Sequence, residues 1–343
     1  MAVLIIGQGL SGSIMAYTCW QNKIPFKIID NNSPFSASKI ATGLFNPIVF
    51  KRITESWLAS EVLPFLKKFY QDFEQEFSSS ILNYKPLKRI IKTEGEQKQW
   101  EIICSQANSL DIFLIDKIIH QDDANAPLGY VLIATGYVLV QDFLSQFKDI
   151  LLQNNLLTQE EFEYNHLLIN ADNIVYKEVV FSQIIFCEGW KAIDNPYFKF
   201  LPFFCSKGEH IEIQTDQLDA NYIVSNGVHI LPLSATNYIV GSTYKWEDLN
   251  NTPTEYAENF FSEKLKNICS TYKVIKHEAA VRPTVRHRRP FVGKHPIYNN
   301  VYILNGFGSK TTSLAPFFAQ ELLNNILFNT PILADVEIAK YYH

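Results

Sequence analysis

The first thirty residues, MAVLIIGQGLSGSIMAYTCWQNKIPFKIID, hold a complete strand–loop–helix–strand unit. Ala2-Val3-Leu4-Ile5-Ile6 is an apolar strand, Gly7-Gln8-Gly9-Leu10-Ser11-Gly12 a glycine-rich loop, and Phe26-Lys27-Ile28-Ile29 a second strand that ends at Asp30. Each part has a physical task. Gly7 permits a tight turn from strand to helix, Gly9 lets the backbone approach a pyrophosphate, and Gly12 with Ala16 allows the helix to lie close to the sheet. The helix then begins with free N–H groups facing the phosphates. Asp30 arrives 23 residues after Gly7, where a carboxylate accepts hydrogen bonds from a ribose and repels a 2′-phosphate. The spacing therefore predicts FAD or NAD as ligand rather than NADP. No basic segment precedes the apolar strand, so a secretory leader is not expected.

The chain of 343 residues is long enough for a large core and for two domains. Hydrophobic residues at 47% and aromatic residues at 14% suit a globular protein with an aromatic-lined pocket and exclude a disordered or fibrous chain. The longest uncharged stretch, Ala124 to Val140, is interrupted by Pro127, Gly129 and Gly136 and reads as strand, turn, strand rather than a membrane span. Five scattered cysteines, Cys19, Cys104, Cys187, Cys205 and Cys269, form no C-x-x-C and have no histidine at ligand spacing, so neither a disulfide framework nor a metal site is expected. That usage points to a reducing, cytoplasmic setting. The net charge of −5 gives no general attraction to nucleic acid.

Beyond Asp30, the small-residue stretch from Ser36 to Pro47 reads as a loop, and apolar residues at helical spacing predict a helix from about Trp57 to Phe77. From Lys85 to Leu132 short β-like runs alternate with polar connections, which predicts an inserted antiparallel sheet. Phe143 to Leu156 is an amphipathic helix, and Val179 to Cys187 reads as one buried strand returning to the nucleotide sheet. A second β-rich block spans Gly208 to Tyr244, closed by a helix from Tyr256 to Ile268. Val301 to Leu304 is a short apolar strand, followed by Gly306-Phe307-Gly308 and a helix from about Ala315 to Leu327. The fold class expected is α/β: a doubly wound, Rossmann-like nucleotide domain with an inserted, mainly antiparallel β substrate domain. Residues 1–84, 135–203 and 276–343 fall to the first, 85–134 and 204–275 to the second.

Four stretches in order carry a resemblance to a known family: the Gly7-x-Gly9-x-x-Gly12 unit, the Ala41-Thr42-Gly43-Leu44-Phe45-Asn46-Pro47 loop, Val240-Gly241-Ser242-Thr243, and the block from Arg282 to Pro316. The last is the most specific, with Arg282-Pro283, Pro290-Phe291-Val292-Gly293, Asn305-Gly306-Phe307-Gly308 and Ala315-Pro316. Lys207-Gly208-Glu209 adds a family-like start to a sheet strand. The chain resembles the D-amino acid oxidase/glycine oxidase (DAO) family of FAD-dependent oxidoreductases over nearly its whole length. The resemblance implies FAD as cofactor, with a β-sheet roofing the isoalloxazine ring. It also implies oxidation of the C–N bond of a small amine or amino acid by hydride transfer to flavin N5, with oxygen or another acceptor reoxidising the flavin. Protein groups would position and polarise rather than supply an obligatory base.

Together the loop and the resemblance nominate Gly7, Gly9, Leu10, Ser11, Gly12, Asp30, Asn31, Ser38, Thr42, Gly43, Gly189, Gly306, Phe307, Gly308, Ser309, Lys310 and Thr311 as cofactor-binding. Arg282 matches the family position that grips the substrate carboxylate, a task suited to a planar guanidinium. Lys310 is a candidate for the flavin edge or a substrate anion, against a solvated loop lysine. Arg286-His287-Arg288-Arg289 departs from the family pattern; a basic run of this kind is usually a solvated face. Recognition of a phosphate or an RNA backbone is its alternative, because Gly308-Ser309-Lys310 followed by Ala315-Pro316 also resembles the flavin domain of a tRNA wobble-uridine modification enzyme, which oxidises an amine on the modified base. That substrate and a non-catalytic flavoprotein module stay open as alternatives. An NAD enzyme without flavin has no use for the Gly306–Gly308 return. Tyr244, Trp246 and His210 fall in the expected roof as pocket or packing residues; His277, Glu278 and His287 receive no catalytic role.

Overall fold

The computed structural model describes residues 2–121, 123 and 125–342. Val3–Ile6 is completely enclosed because it lies inside a six-stranded sheet, flanked in parallel by Phe26–Asp30 and Gln183–Phe186. Leu157–Gln159 and Val301–Asn305 extend the parallel array on its two sides, and Phe291–Lys294 closes one edge antiparallel. A strand buried on both faces has no polar side to show, which is why Val3–Ile6 is apolar throughout rather than alternating.

Helix Leu10–Gln21 is apolar nearly all round, and it is buried accordingly from Leu10 to Cys19. It packs against Thr311–Phe328 and Val140–Gln153, while Ala59–Phe77 packs on Thr311–Phe328. Tyr17 anchors the junction, meeting Phe69, Phe73 and Phe147 edge to face at 5.1–5.8 Å between ring centroids. Its hydroxyl donates to Glu76 at 3.1 Å, which satisfies the polar tip of an otherwise enclosed ring.

Over the C-terminal ends of the parallel strands lies a second sheet, ordered Lys273–Arg282, Ser206–Gln214, Asn237–Gly241, His229–Pro232, Ile223–Ser225, Leu87–Ile90, Tyr130–Ile133. Every pair in it is antiparallel except Ile223–Ser225 with Leu87–Ile90. One face of this roof is sealed by helix Glu255–Leu265, through Ile211, Ile213, Tyr238, Val240 and Phe261. The other face is free to cover the nucleotide domain.

Three expectations are corrected. The segment expected to hold only short β runs contains helix Glu94–Ser105, whose first turn is capped by Thr93 Oγ1 accepting from Glu96 N at 3.1 Å. The run from Val179 to Cys187 is not one strand. Val179–Phe181 belongs to a three-stranded antiparallel ribbon with Leu167–Ile169 and Ile174–Tyr176, and the chain changes sheets at Ser182, whose N–H donates to Ala2 O at 2.8 Å. Strand Lys273–Arg282 crosses the boundary expected at 275/276, because it pairs with Ser206–Gln214 through to Arg282. The stretch from Ser36 to Pro47 holds only the 3-10 turn Ala37–Ile40 and the short strand Leu44–Phe45. Ala124 lies outside the described residues; the uncharged stretch it opens forms strand, turn, strand from Tyr130 to Val138. No helix among the described residues is long and apolar enough to cross a membrane.

Candidate active site

A cavity of about 530 Å³ lies between the C-terminal ends of the parallel strands and the free face of the roof. This is the crevice at which open α/β sheets bind ligands. Its floor begins with Gly7 at φ +99°, a conformation that only glycine adopts without strain, and a Cβ there would stand 2.7 Å from Cys187 O. A Cβ on Gly12 would lie 1.8 Å from Gly7 O, so the helix sits against its own loop. Gly9 faces outward: the nearest atoms to a Cβ are Ser38 Oγ at 3.3 Å and Ser36 Oγ at 3.8 Å. Ser38 Oγ also accepts from Leu10 N at 2.9 Å, tying the Ala37–Ile40 turn to the start of the first helix.

Asp30 shapes the same floor. One carboxylate oxygen accepts from Gln8 N at 2.8 Å and the other from Asn32 N at 2.6 Å, leaving lone pairs on both oxygens. Of the nominated residues, Gly7, Gly9, Leu10, Ser11, Asp30, Asn31, Ser38, Thr42, Gly43, Gly189, Gly308, Ser309 and Thr311 line the cavity. Gly12, Gly306, Phe307 and Lys310 do not: Gly12 serves the helix contact, Gly306 turns beside Phe291 and Val285, and Phe307 packs on Phe318. Asn305 links two parts of the wall, donating from Nδ2 to Gly189 O at 2.9 Å and accepting from Gly306 N at 2.8 Å. A cavity of this volume with a glycine-rich loop, a helix N-terminus and an acid at the second strand's end fits a dinucleotide.

Glu188 is a wall residue that the sequence reading missed. It sits just past the apolar strand Gln183–Phe186, the Tyr164 hydroxyl donates to it, and Asn195 Nδ2 donates to it at 2.6 Å. Burial raises its carboxyl above the ordinary range, against the pull of those two hydrogen bonds. The signal was an acid two residues past the apolar run Ile184-Ile185-Phe186. Tyr164 could not have been read this way, since it reaches the wall from the loop preceding the ribbon.

The roof contributes Gly208, His210, Ala280 and Arg282. Arg282 lies flat across Gly208, where a Cβ would meet the guanidinium at 1.9–2.0 Å. Its Nη1 donates to Thr243 O at 3.2 Å and its Cζ lies 4.7 Å from the centre of the Tyr244 ring. Burial lowers its pKa, with Tyr244 opposing, and no carboxylate among the described residues is placed to pair with it. Lys310 stands apart from the wall. Its Nζ donates to Ser56 Oγ at 2.9 Å, and surrounding protein together with Arg288 and Arg289 brings its pKa down to about 8 although part of its surface meets solvent. The basic run is largely occupied: Arg286 lies 5.4 Å over Phe204, and Arg289 lies 4.1 Å over Trp57 and contacts Asp335 at 3.3 Å. Tyr244 and Trp246 are exposed beside Arg282 and Phe204 rather than in the wall.

Solved structures of the same architecture cover almost the whole chain. L-proline dehydrogenase from P. horikoshii aligns at a TM-score of 0.77 and 14% identity, over 97% of this chain and 95% of that one. Iminodiacetate oxidase from Chelativorans sp. BNC1 aligns at 0.73 and 17%, over 96% of each chain. Glycine oxidase from Bacillus cereus ATCC 14579 aligns at 0.72 and 17%, again over 96% of each. At such identities the likeness is one of fold. The family model for FAD-dependent oxidoreductases, by contrast, matches the sequence itself over residues 2–324, so the chain belongs to the DAO family of FAD-dependent oxidoreductases and FAD is its cofactor.

Proposed function

We propose that this oxidoreductase oxidises the C–N bond of a small amino acid or other carboxylate-bearing amine. The observation that carries this reading is Arg282, a guanidinium on the cavity wall with aromatic and carbonyl neighbours and, among the described residues, no carboxylate partner. Arg282 is half-buried; a cation partly withdrawn from water without a counter-charge is unfavourable, and an anionic substrate group is the natural complement. The fork of the guanidinium suits a carboxylate held by two parallel hydrogen bonds. The bound flavin supplies the two-electron acceptor. Gly7, Gly9 and Gly12 would seat the pyrophosphate, Asp30 the ribose, and Gly43, Gly189 and Gly308 the remaining length. The oxidation of glycine and of iminodiacetate, named for two proteins of this fold, supports an amine substrate by analogy. Five unpaired cysteines support a reducing, cytoplasmic setting.

The test is the visible spectrum of the purified protein, followed anaerobically while primary and secondary amino acids are added. Bleaching of the flavin by one of them is the expected result and identifies the substrate class. A flavin that no free amine bleaches would move weight to an amine carried on tRNA or to a non-catalytic module, and salt-sensitive tRNA binding would then separate those two.

A further inference from the structure

The cavity face of the roof carries one row of residues in direct register across four strands: His229, Gly241, His210 and Glu278. His210 lines the cavity, as does Arg282 on the neighbouring strand. Its Nε2 lies 3.3 Å from Glu278 Oε2, and the other oxygen of Glu278 holds Lys276 Nζ at 2.8 Å. Gly241 keeps the other flank of His210 open; a Cβ there would press on His210 Cβ at 3.0 Å. His277 and Glu209, the neighbouring His–Glu pair, sit by the start of helix Glu255–Leu265, where Thr254 donates to Glu209, and neither lines the cavity.

We infer that His210 accepts the proton that the substrate ammonium must lose before oxidation, with Glu278 holding the imidazole in the receptive tautomer. The inference rests on the amine-oxidising reading above. An amino acid meets Arg282 as a carboxylate with an attached ammonium, and the nitrogen of an ammonium has no lone pair. A hydride can leave the adjacent carbon only if that nitrogen has a pair with which to form the C=N bond. The first step is therefore proton transfer: one N–H bond breaks, its electron pair stays on nitrogen, and the proton moves to His210. The lone pair that His210 leaves on nitrogen is what a bound flavin, as two-electron acceptor, would require for the neighbouring C–H bond to be oxidised to C=N.

The geometry fixes which ring nitrogen is free. An ionised Glu278 can only accept, so Nε2 carries hydrogen and Nδ1 keeps the lone pair. A carboxylate behind an imidazole orients the ring and stabilises the imidazolium once formed. The charged groups facing His210 are Glu278 and Lys276 on the adjoining strand and Arg282 at the same wall. Burial lowers its pKa most, Glu278 raises it, and Lys276 and Arg282 lower it further; the net direction is down, which leaves the ring neutral and receptive at neutral pH. The role concerns the N–H proton alone and requires no base for the C–H bond.

The test measures anaerobic flavin bleaching against pH in holoenzyme, using the amino acid found to reduce the wild type. His210→Gln is expected to keep its flavin and its KM, to lose about 100-fold in bleaching rate at neutral pH, and to recover as the pH approaches that of the free amine. Glu278→Gln removes the group that raises the His210 pKa, so the acid limb of its profile should move to lower pH. That second variant serves where His210→Gln does not retain flavin. A His210→Gln profile that superposes on wild type, or one depressed equally at every pH, overturns the role of His210 while leaving the amine-oxidising reading intact. A wild-type flavin that no amine bleaches overturns that reading first, and this inference with it.

Discussion

The two halves of the cavity are built by different means. Its floor is made of main chain: a loop whose glycines keep Cβ atoms away from Gly7 O and Cys187 O, and a helix that begins where the loop ends. Those constraints are local, and thirty consecutive residues contain nearly all of them. Its roof is made of side chains held in register, with His210 brought to Glu278 and Arg282 from a position more than sixty residues earlier in the chain. A substitution in the floor should therefore disturb the cofactor and the fold together, whereas one in the roof should disturb the substrate and spare the flavin.

Gly12→Val is the strongest test of that contrast. Its Cβ would fall 1.8 Å from Gly7 O, an atom of the backbone that cannot swing aside, and 3.3 Å from Cys187 Cβ. We expect no stable holoenzyme, read as absent flavin absorbance and a lost cooperative melt. A variant with full flavin content would break the comparison at its base.

Arg282→Ala should do the opposite. Removing a charge-paired anchor costs about 2–4 kcal/mol, on the order of 30- to 1,000-fold in KM for a carboxylate-bearing amine, with flavin content unchanged. If the variant loses its flavin, Arg282 is part of the floor's support and the substrate assignment falls. Gly208→Ala sharpens the same point without touching the arginine. The added methyl group takes the space of the guanidinium, and a flexible side chain can move, so KM should rise about tenfold rather than collapse. An unchanged KM would mean that Arg282 binds from another rotamer.

The same division explains what was legible in the sequence. The Gly7–Gly12 loop and Asp30 were readable because spacing along one chain dictates their geometry. Arg282 and Gly208 were readable only through resemblance, since nothing local says that one side chain lies across the other. Helix Glu94–Ser105 had a local signal that went unread: Thr93 followed by Glu96 at capping distance, with Trp100 as its one buried side chain. The break at Ser182 had none, because Val179 to Cys187 is equally apolar on both sides of it and only tertiary pairing divides the run. Lys310 shows the limit of motif position: its sequence neighbours Ser309 and Thr311 line the cavity, but its amine goes to Ser56.

His229 gives the smallest expected effect, and one that reads the roof through its stability. It stands in the same row as His210, its Nδ1 is buried without a hydrogen-bond partner, and burial followed by the charge of Arg89 brings its pKa down to about 4. Arg89 is fixed there by Glu96 at 2.7 Å and by Phe50, whose ring also meets His229 at 6.3 Å. An unfolded chain takes up the imidazole proton near the ordinary histidine pKa, whereas the native state takes it only near 4. The unfolded state thus binds more protons in between, so the contribution of His229 is complete above pH about 6.5 and is lost as the pH falls towards 4. The loss amounts to about 1–3 kcal/mol. In His229→Phe the urea midpoint should fall less between pH 7 and pH 4.5 than in wild type, with flavin content equal in both. Equal slopes would mean that the native roof protonates His229 as readily as the unfolded chain does, and that Arg89 exerts no electrostatic hold on this end of the row.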